Sequence, residues 1–176
     1  MPSFLDTHNL SVLAIPAYYV LSVLPHSYAL NVATGGQLTK WDNRNPRSST
    51  LHSKLQDRLS AEEFAKYERL EACHANGMEV RIFSGNRTQA YYVQNMPLFV
   101  AAVVLGNVAG LKKQGLDGLN GFAGLFLAVR MLYTGVYATH QTQGPTVARS
   151  VLWATGVALC FRTIIRAARA LGGDRI

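Results

Sequence analysis

Glu68-Arg69-Leu70-Glu71-Ala72-Cys73-His74-Ala75-Asn76-Gly77-Met78-Glu79 is a polar stretch, and an apolar run of membrane type, Met96 to Leu111, follows it. Asn76 and Glu79 lie three apart, so a helix places them on one face with Arg69 and Ala72. Ionisable groups leading into a bilayer are costly and by default mark a site. On periodicity alone, a solvated helix end just outside the membrane reads equally well.

Upstream, Ser60-Ala61-Glu62-Glu63 is a capping-box pattern with Ser60 as N-cap and Glu63 at the third helical position. Phe64, Tyr67 and Leu70 recur at helical spacing. A helix is therefore expected to begin near Ala61 and to carry the polar stretch towards the membrane. Its apolar continuation contains Gly106 and Gly110, a small-xxx-small pair suited to close helix contact.

Three further apolar runs are long enough to cross a bilayer, which takes about 20 residues. They are about Leu10 to Leu30, Leu119 to Tyr137, and Val147 to Leu171. Pro16 and Pro25 are expected to kink the first; Tyr18 and Tyr19 read as packing residues and Tyr28 as an interface anchor. Its lack of a basic leader and its end at Pro25-His26 argue for a retained span rather than a signal peptide. Four spans in one domain, 1–176, predict an all-α integral membrane four-helix bundle.

The chain has 176 residues, 49% of them hydrophobic, and a formal net charge of +7. A mean hydropathy of only +0.09 hides a division between apolar blocks and a polar stretch from about Asn31 to Glu71. The cations sit in loops and at span ends, which suits lipid headgroups and not a nucleic-acid face. The positive-charge rule favours a cytoplasmic first loop only slightly. In that loop Lys40, Trp41, Asn43, Asn45 and Pro46 read as a structured surface turn, with Trp41 at headgroup level as the alternative. Cys73 and Cys160 read as small buried residues. His8, His26, His52 and His140 read as bland, and no metal-ligand spacing is present.

A second constellation lies inside the third span. Arg130, Tyr133 and Tyr137 are spaced i, i+3, i+7, hence on one helix face. A cation near mid-span needs a partner, and Glu79 is the candidate carboxylate. The residues then either form a pair that fixes the bundle or line a binding pocket.

These motifs carry a resemblance. Glu68-Arg69, then His74-x-Asn76-x-x-Glu79, then Pro97-Leu98-Phe99 is similar to the signature of the MAPEG family (membrane-associated proteins in eicosanoid and glutathione metabolism). Trp41-Asp42-Asn43-x-Asn45-Pro46-Arg47 and Ala75-Asn76-Gly77-x-Glu79 resemble its fungal-type members. The resemblance covers most of the chain. It implies a homotrimer of the endoplasmic reticulum membrane, with the first loop in the cytosol, that binds glutathione at subunit interfaces. His74, Asn76, Glu79, Arg130, Tyr133 and Tyr137 match the glutathione-contacting positions. Arg149 matches the arginine that stabilises the thiolate, and Tyr133 or Tyr137 would donate to the sulfur. Two departures stand out. Ala72 occupies the place of an arginine that reaches the glutathione carboxylate. Val80–Gln94 is an insertion that the family pattern lacks; its removal joins Glu79 to Asn95 without a frame change, as an unremoved intron would. Ser84-Gly85-Asn86 within it is a turn signal, and Asn86-Arg87-Thr88 is a weak glycosylation match.

The resemblance therefore implies a glutathione-dependent transferase or peroxidase acting on lipophilic electrophiles. A glutathione-independent isomerase or cyclase of a lipophilic metabolite, or a non-catalytic membrane scaffold, remain as alternatives. All of them require the bilayer. The protein is expected to stay in the membrane pellet on alkaline carbonate extraction, and recovery in the carbonate supernatant would overturn the architecture.

Overall fold

Asn9 opens the first helix. Its side-chain oxygen accepts from the Val12 amide, and helix α1 runs Leu10–Thr34 with Pro16 and Pro25 inside it. The helix closes on Gly35, whose φ of 58° is left-handed, while the Gly36 amide donates to the Asn31 carbonyl at 3.0 Å. A 3-10 turn follows at Leu38–Lys40, then α2 (Ser49–Arg58), α3 (Ala61–Met78), α4 (Asn95–Val108), α5 (Leu119–Thr139) and α6 (Gly144–Leu171). This computed structural model describes residues 9–41, 49–78, 95–139 and 144–173, and among them there is no strand.

The capping box forms as expected: Ser60 N donates to Glu63 Oε2 at 3.0 Å and Glu63 N donates to Ser60 Oγ at 3.3 Å. The Ser60 hydroxyl also donates to Glu63, and these bonds hold the Glu63 carboxyl below the ordinary carboxylate range.

Among the described residues three segments are long and apolar enough to cross a membrane: α1, α5 and Val147–Leu171 of α6. The remaining crossing, expected over 61 to 111 with an insert at 80–94, is described in two parts. These are α3, Ala61–Met78, and α4, which has 14 residues. At 1.5 Å per residue α4 is about 21 Å long, short of the roughly 30 Å of a hydrocarbon core. Glu79 and Val80–Gln94 lie outside the described residues.

Helix α1 is the common wall. Its buried stripe is Ser11, Ala14, Tyr18, Ser22, Pro25, Ala29 and Ala33, spaced by threes and fours. Small residues let neighbours approach closely. Helix α3 lies along the C-terminal half, where Tyr67 and Leu70 share a core with Ala29 and Ala33. Trp41 packs against that core. Helix α4 lies along the N-terminal half, where Phe99 meets Tyr18 edge-on at 5.5 Å. Phe126 of α5 stacks on Phe99 at 4.2 Å, and Cys160 of α6 completes that core. Tyr18 is packed as expected, but Tyr19 is exposed, on the outer face of α1.

The glycine pair of α4 divides its roles. A Cβ on Gly106 would meet the Leu119 side chain at 2.5 Å, so this glycine does serve a close approach. Gly110 does not; with φ +66° it ends the helix, and the Leu111 amide donates back to the Gly106 carbonyl at 3.0 Å. Nearby, a satisfied amide clasp ties three helices. Asn9 Nδ2 donates to Asn107 Oδ1 at 2.6 Å, Asn107 Nδ2 to Ser11 Oγ at 3.1 Å, and Ser11 N to Asn120 Oδ1 at 3.0 Å.

The buried faces of α3 and α4 are in phase if Glu79 is joined to Asn95. Cys73 is buried on α3 and Asn95 on α4. With 80–94 removed, Asn95 becomes the seventh residue after Cys73, two helical turns on, and Phe99, Val103 and Gly106 extend the stripe. The ends of the segment also suit an intron read through as coding sequence: every valine codon begins GT, and the glutamine codon CAG ends AG. The mature transcript is expected to lack codons 80–94. Sequencing full-length cDNA decides it, and a transcript carrying them would show that the insert is real.

Candidate functional site

Arg130 lies in the middle of α5 on the buried face that includes Phe122, Phe126, Val129 and Tyr133. Only 3% of it is exposed. Its guanidinium carbon is 4.5 Å from the Tyr133 ring centroid and 5.8 Å from that of Tyr18. The Tyr133 and Tyr137 rings follow each other at 5.6 Å. Beyond them the Arg149 guanidinium, from the first turns of α6, sits 4.7 Å from the Tyr137 centroid. The result is a ladder of two cations bracketing two phenols. The spacing i, i+3, i+7 builds the α5 part of it, as the sequence implied, and α6 adds Arg149.

The inner end of the ladder is short of acceptors. Arg130 Nε and Nη1, the Tyr18 hydroxyl and Ser22 Oγ are buried with no hydrogen-bond partner, as is Asn95 Nδ2. Ser22 and Arg130 lie beside the Tyr18 hydroxyl without completing a hydrogen bond to it. The thiols of Cys73 and Cys160 lie within electrostatic reach of the same guanidinium, and Cys73 also meets Thr134. A desolvated cation–π contact contributes about 2 kcal/mol. Removing a charge from water costs several kcal/mol even after relaxation, so aromatic faces alone do not hold it. The unfilled donors suit an acceptor-rich anion such as a carboxylate or thiolate.

Of the residues singled out from sequence, Arg130, Tyr133, Tyr137 and Arg149 come together. Asn76 lies on the last turns of α3, but its side chain, like all of Glu79, is outside the described residues, so the expected Arg130–Glu79 pair is too. His74, on the same helix, reaches across to α1. Its Nδ1 meets the Ser22 carbonyl of α1 at 2.9 Å. A carbonyl only accepts, so this nitrogen carries the proton.

His26, read from sequence as bland, belongs to a cluster. Its Nδ1 is 2.6 Å from Glu71 Oε1, and its ring stacks on His74 with centroids 4.9 Å apart. Tyr18 and Ser22 also escaped the sequence reading. Ionisable and hydroxyl groups at 18, 22 and 26, each four apart within an apolar span, were the available signal. Cys73 and Cys160 are free and buried, as expected. Among the described residues no three His, Cys, Asp or Glu side chains are grouped to hold a metal.

Long apolar helices joined around a buried cationic ladder define an integral membrane protein with a polar site inside its bundle. The MAPEG family model matches residues 12–169, nearly the whole chain, and the protein belongs to that family. No curated protein and no solved structure matches it.

The two ends of the α5 motif are expected to differ under substitution. Arg130→Ala removes the charge around which four helices are arranged, and breaking a buried charge interaction costs about 3–5 kcal/mol. Tyr133→Phe removes one hydroxyl, worth about 1 kcal/mol. Thermal unfolding in detergent reads both. An Arg130→Ala protein with unchanged stability and activity would place Arg130 at the headgroups instead.

Proposed function

We propose that this protein is a glutathione-dependent transferase or peroxidase of lipophilic electrophiles, working as a homotrimer of four-helix bundles in the endoplasmic reticulum membrane. The observation that carries the reading is the ladder Arg130–Tyr133–Tyr137–Arg149 in a chain of this family. A free thiol, of pKa about 8.5, is mostly protonated at neutral pH. A guanidinium beside the sulfur favours the thiolate, and a phenol can donate a hydrogen bond to it. In this reading Arg149 faces the sulfur with Tyr133 or Tyr137, while His74, Asn76, Glu79 and Arg130 hold the rest of the tripeptide. The thiolate attacks an apolar electrophile arriving from the lipid. With an epoxide, a C–S bond forms, a C–O bond breaks, and the alkoxide takes up a proton. With a hydroperoxide, an S–O bond forms as the O–O bond breaks, the alkoxide takes up a proton to leave as the alcohol, and a second glutathione converts the sulfenic acid to the disulfide and water.

Ala72 favours a second reading. One arginine–carboxylate contact of the family is missing, which leaves room for a glutathione-independent isomerase or cyclase on the same fold. Charge-assisted hydrogen bonds contribute about 1.5–3 kcal/mol, and each 1.4 kcal/mol is about tenfold in affinity. The wild type is therefore expected to bind glutathione roughly 10- to 100-fold more weakly than members with the arginine, and Ala72→Arg to recover part of the difference. Calorimetric titration of both forms in detergent measures this. Tight wild-type binding would mean that another residue, such as Arg69, already holds the carboxylate. No binding by either form would remove glutathione from the mechanism and leave the thiol-independent enzyme.

A further inference from the structure

At the end of the bundle away from the ladder, two arginines meet one residue, and two exposed lysines lie in the same connection. Arg162 donates from Nη2 to Asp117 Oδ1 at 2.9 Å, and Arg166 donates from Nη1 to the Asp117 carbonyl at 2.7 Å. The two arginines are one helical turn apart on α6, so a single residue holds both guanidiniums side by side. Each bond engages one nitrogen and leaves other N–H groups of the fork to point elsewhere. Lys112 and Lys113 are tied to the same connection through the backbone. The Leu119 amide donates to the Lys112 carbonyl at 2.9 Å and the Asn120 amide to the Lys113 carbonyl at 3.0 Å. Both lysine side chains are exposed.

Leu116 supplies a second and different observation. It lies between the lysines and Asp117 and is 97% exposed. No packing within the chain explains it. It stands where the apolar helices α4 and α5 meet the polar boundary marked by the Asn9–Asn107–Asn120 clasp. A bare apolar side chain in the same connection as two exposed lysines and the residue that holds two arginines matches the layering of a bilayer, with phosphates above and acyl chains below.

We propose that this end of the molecule binds the headgroup of an acidic phospholipid. Arg162, Arg166, Lys112 and Lys113 take the phosphate and the headgroup anion, and Leu116 seats among the acyl chains. Among the described residues of this connection and the end of α6, one carboxylate, Asp117, stands against the four cations. The surplus favours a net-negative headgroup over a zwitterionic one, whose ammonium the cations repel.

The test is native mass spectrometry of the detergent-purified protein offered equal amounts of phosphatidylserine and phosphatidylcholine. Preferential retention of phosphatidylserine is expected, falling with added salt. Each juxtamembrane cation contributes roughly fivefold, so Lys112→Gln with Lys113→Gln should weaken phosphatidylserine retention about 25-fold. These lysines hold the fold only through backbone bonds, so the thermal midpoint should not move. Arg162→Gln with Arg166→Gln releases Asp117 and is read alongside its own thermal midpoint. Leu116→Ser should lower retention of long-chain phosphatidylserine and leave a short-chain analogue unaffected. Equal retention of the two lipids by the wild type, or unchanged selectivity in the lysine pair, would overturn the proposal. Displacement of the lipid by millimolar inorganic phosphate would make this a free-phosphate site and also remove the membrane assignment.

Discussion

A guanidinium buried in the middle of a membrane helix constrains everything around it. Arg130 cannot lose its proton, so burial cannot be relieved by neutralisation as it can for lysine. Its surroundings must supply compensation instead, and four helices do so. Tyr18 comes from α1, Cys73 from α3, Tyr133 from α5 itself and Cys160 from α6. None of these groups carries a negative charge at neutral pH. The ring faces offset part of the desolvation, and the thiols and hydroxyls are polarisable or weakly polar neighbours. Among the described residues no anion stands beside Arg130, and a carboxylate there would complete the compensation.

The polar groups elsewhere in the bundle sharpen that contrast. At one end Asn9, Ser11, Asn107 and Asn120 bond one another at ordinary distances. At the other, Glu71 bonds His26, and His74 bonds the Ser22 carbonyl. Unpaired polar groups in low dielectric cost more than the net gain of a typical hydrogen bond, so a membrane bundle satisfies what it can. The first cluster obeys that rule; beside the second, Arg69 Nε of α3 is buried without a partner among the described residues. Tyr18, Ser22, Asn95 and Arg130 likewise keep buried atoms without partners there. The orphaned groups of Tyr18, Ser22 and Arg130 lie close to one another, which makes this the most polar unsatisfied part of the core.

Much of this was legible in the sequence because it is local. Hydropathy located α1, α5 and α6 within a few residues, since spanning length is a composition property. Ser60 and Glu63 announced the start of α3, and the spacing of Arg130, Tyr133 and Tyr137 announced a shared face. The failures were non-local. His26 looked bland because its partners Glu71 and His74 lie some 45 residues away along the chain, on α3. Tyr18 read as packing, which it is, but its hydroxyl reaches the level of Arg130 only because α1 crosses α5 there. Gly110 matched a helix-contact pattern, yet a left-handed φ made it a terminator. A spacing motif does not distinguish a glycine used for its missing side chain from one used for its backbone.

The two arginines of the ladder are not equivalent, and accessibility separates them. Arg130 is enclosed, whereas Arg149 is only partly buried and belongs to the first turns of α6. The N-terminal turns of a helix carry a partial positive charge from their backbone amides, which adds to the field of a cation placed there. In the proposed reading an anion approaching from outside the bundle would meet Arg149 and the helix terminus first, with Tyr137 and Tyr133 as its next neighbours inward and Arg130 behind the phenols. The field of Arg130 would favour negative charge on whatever the tyrosines touch, and low dielectric extends such influence farther than water would allow. An outer cation to capture and an inner cation to polarise would need the same line of aromatic rings between them, and one face of α5 carries both tyrosines.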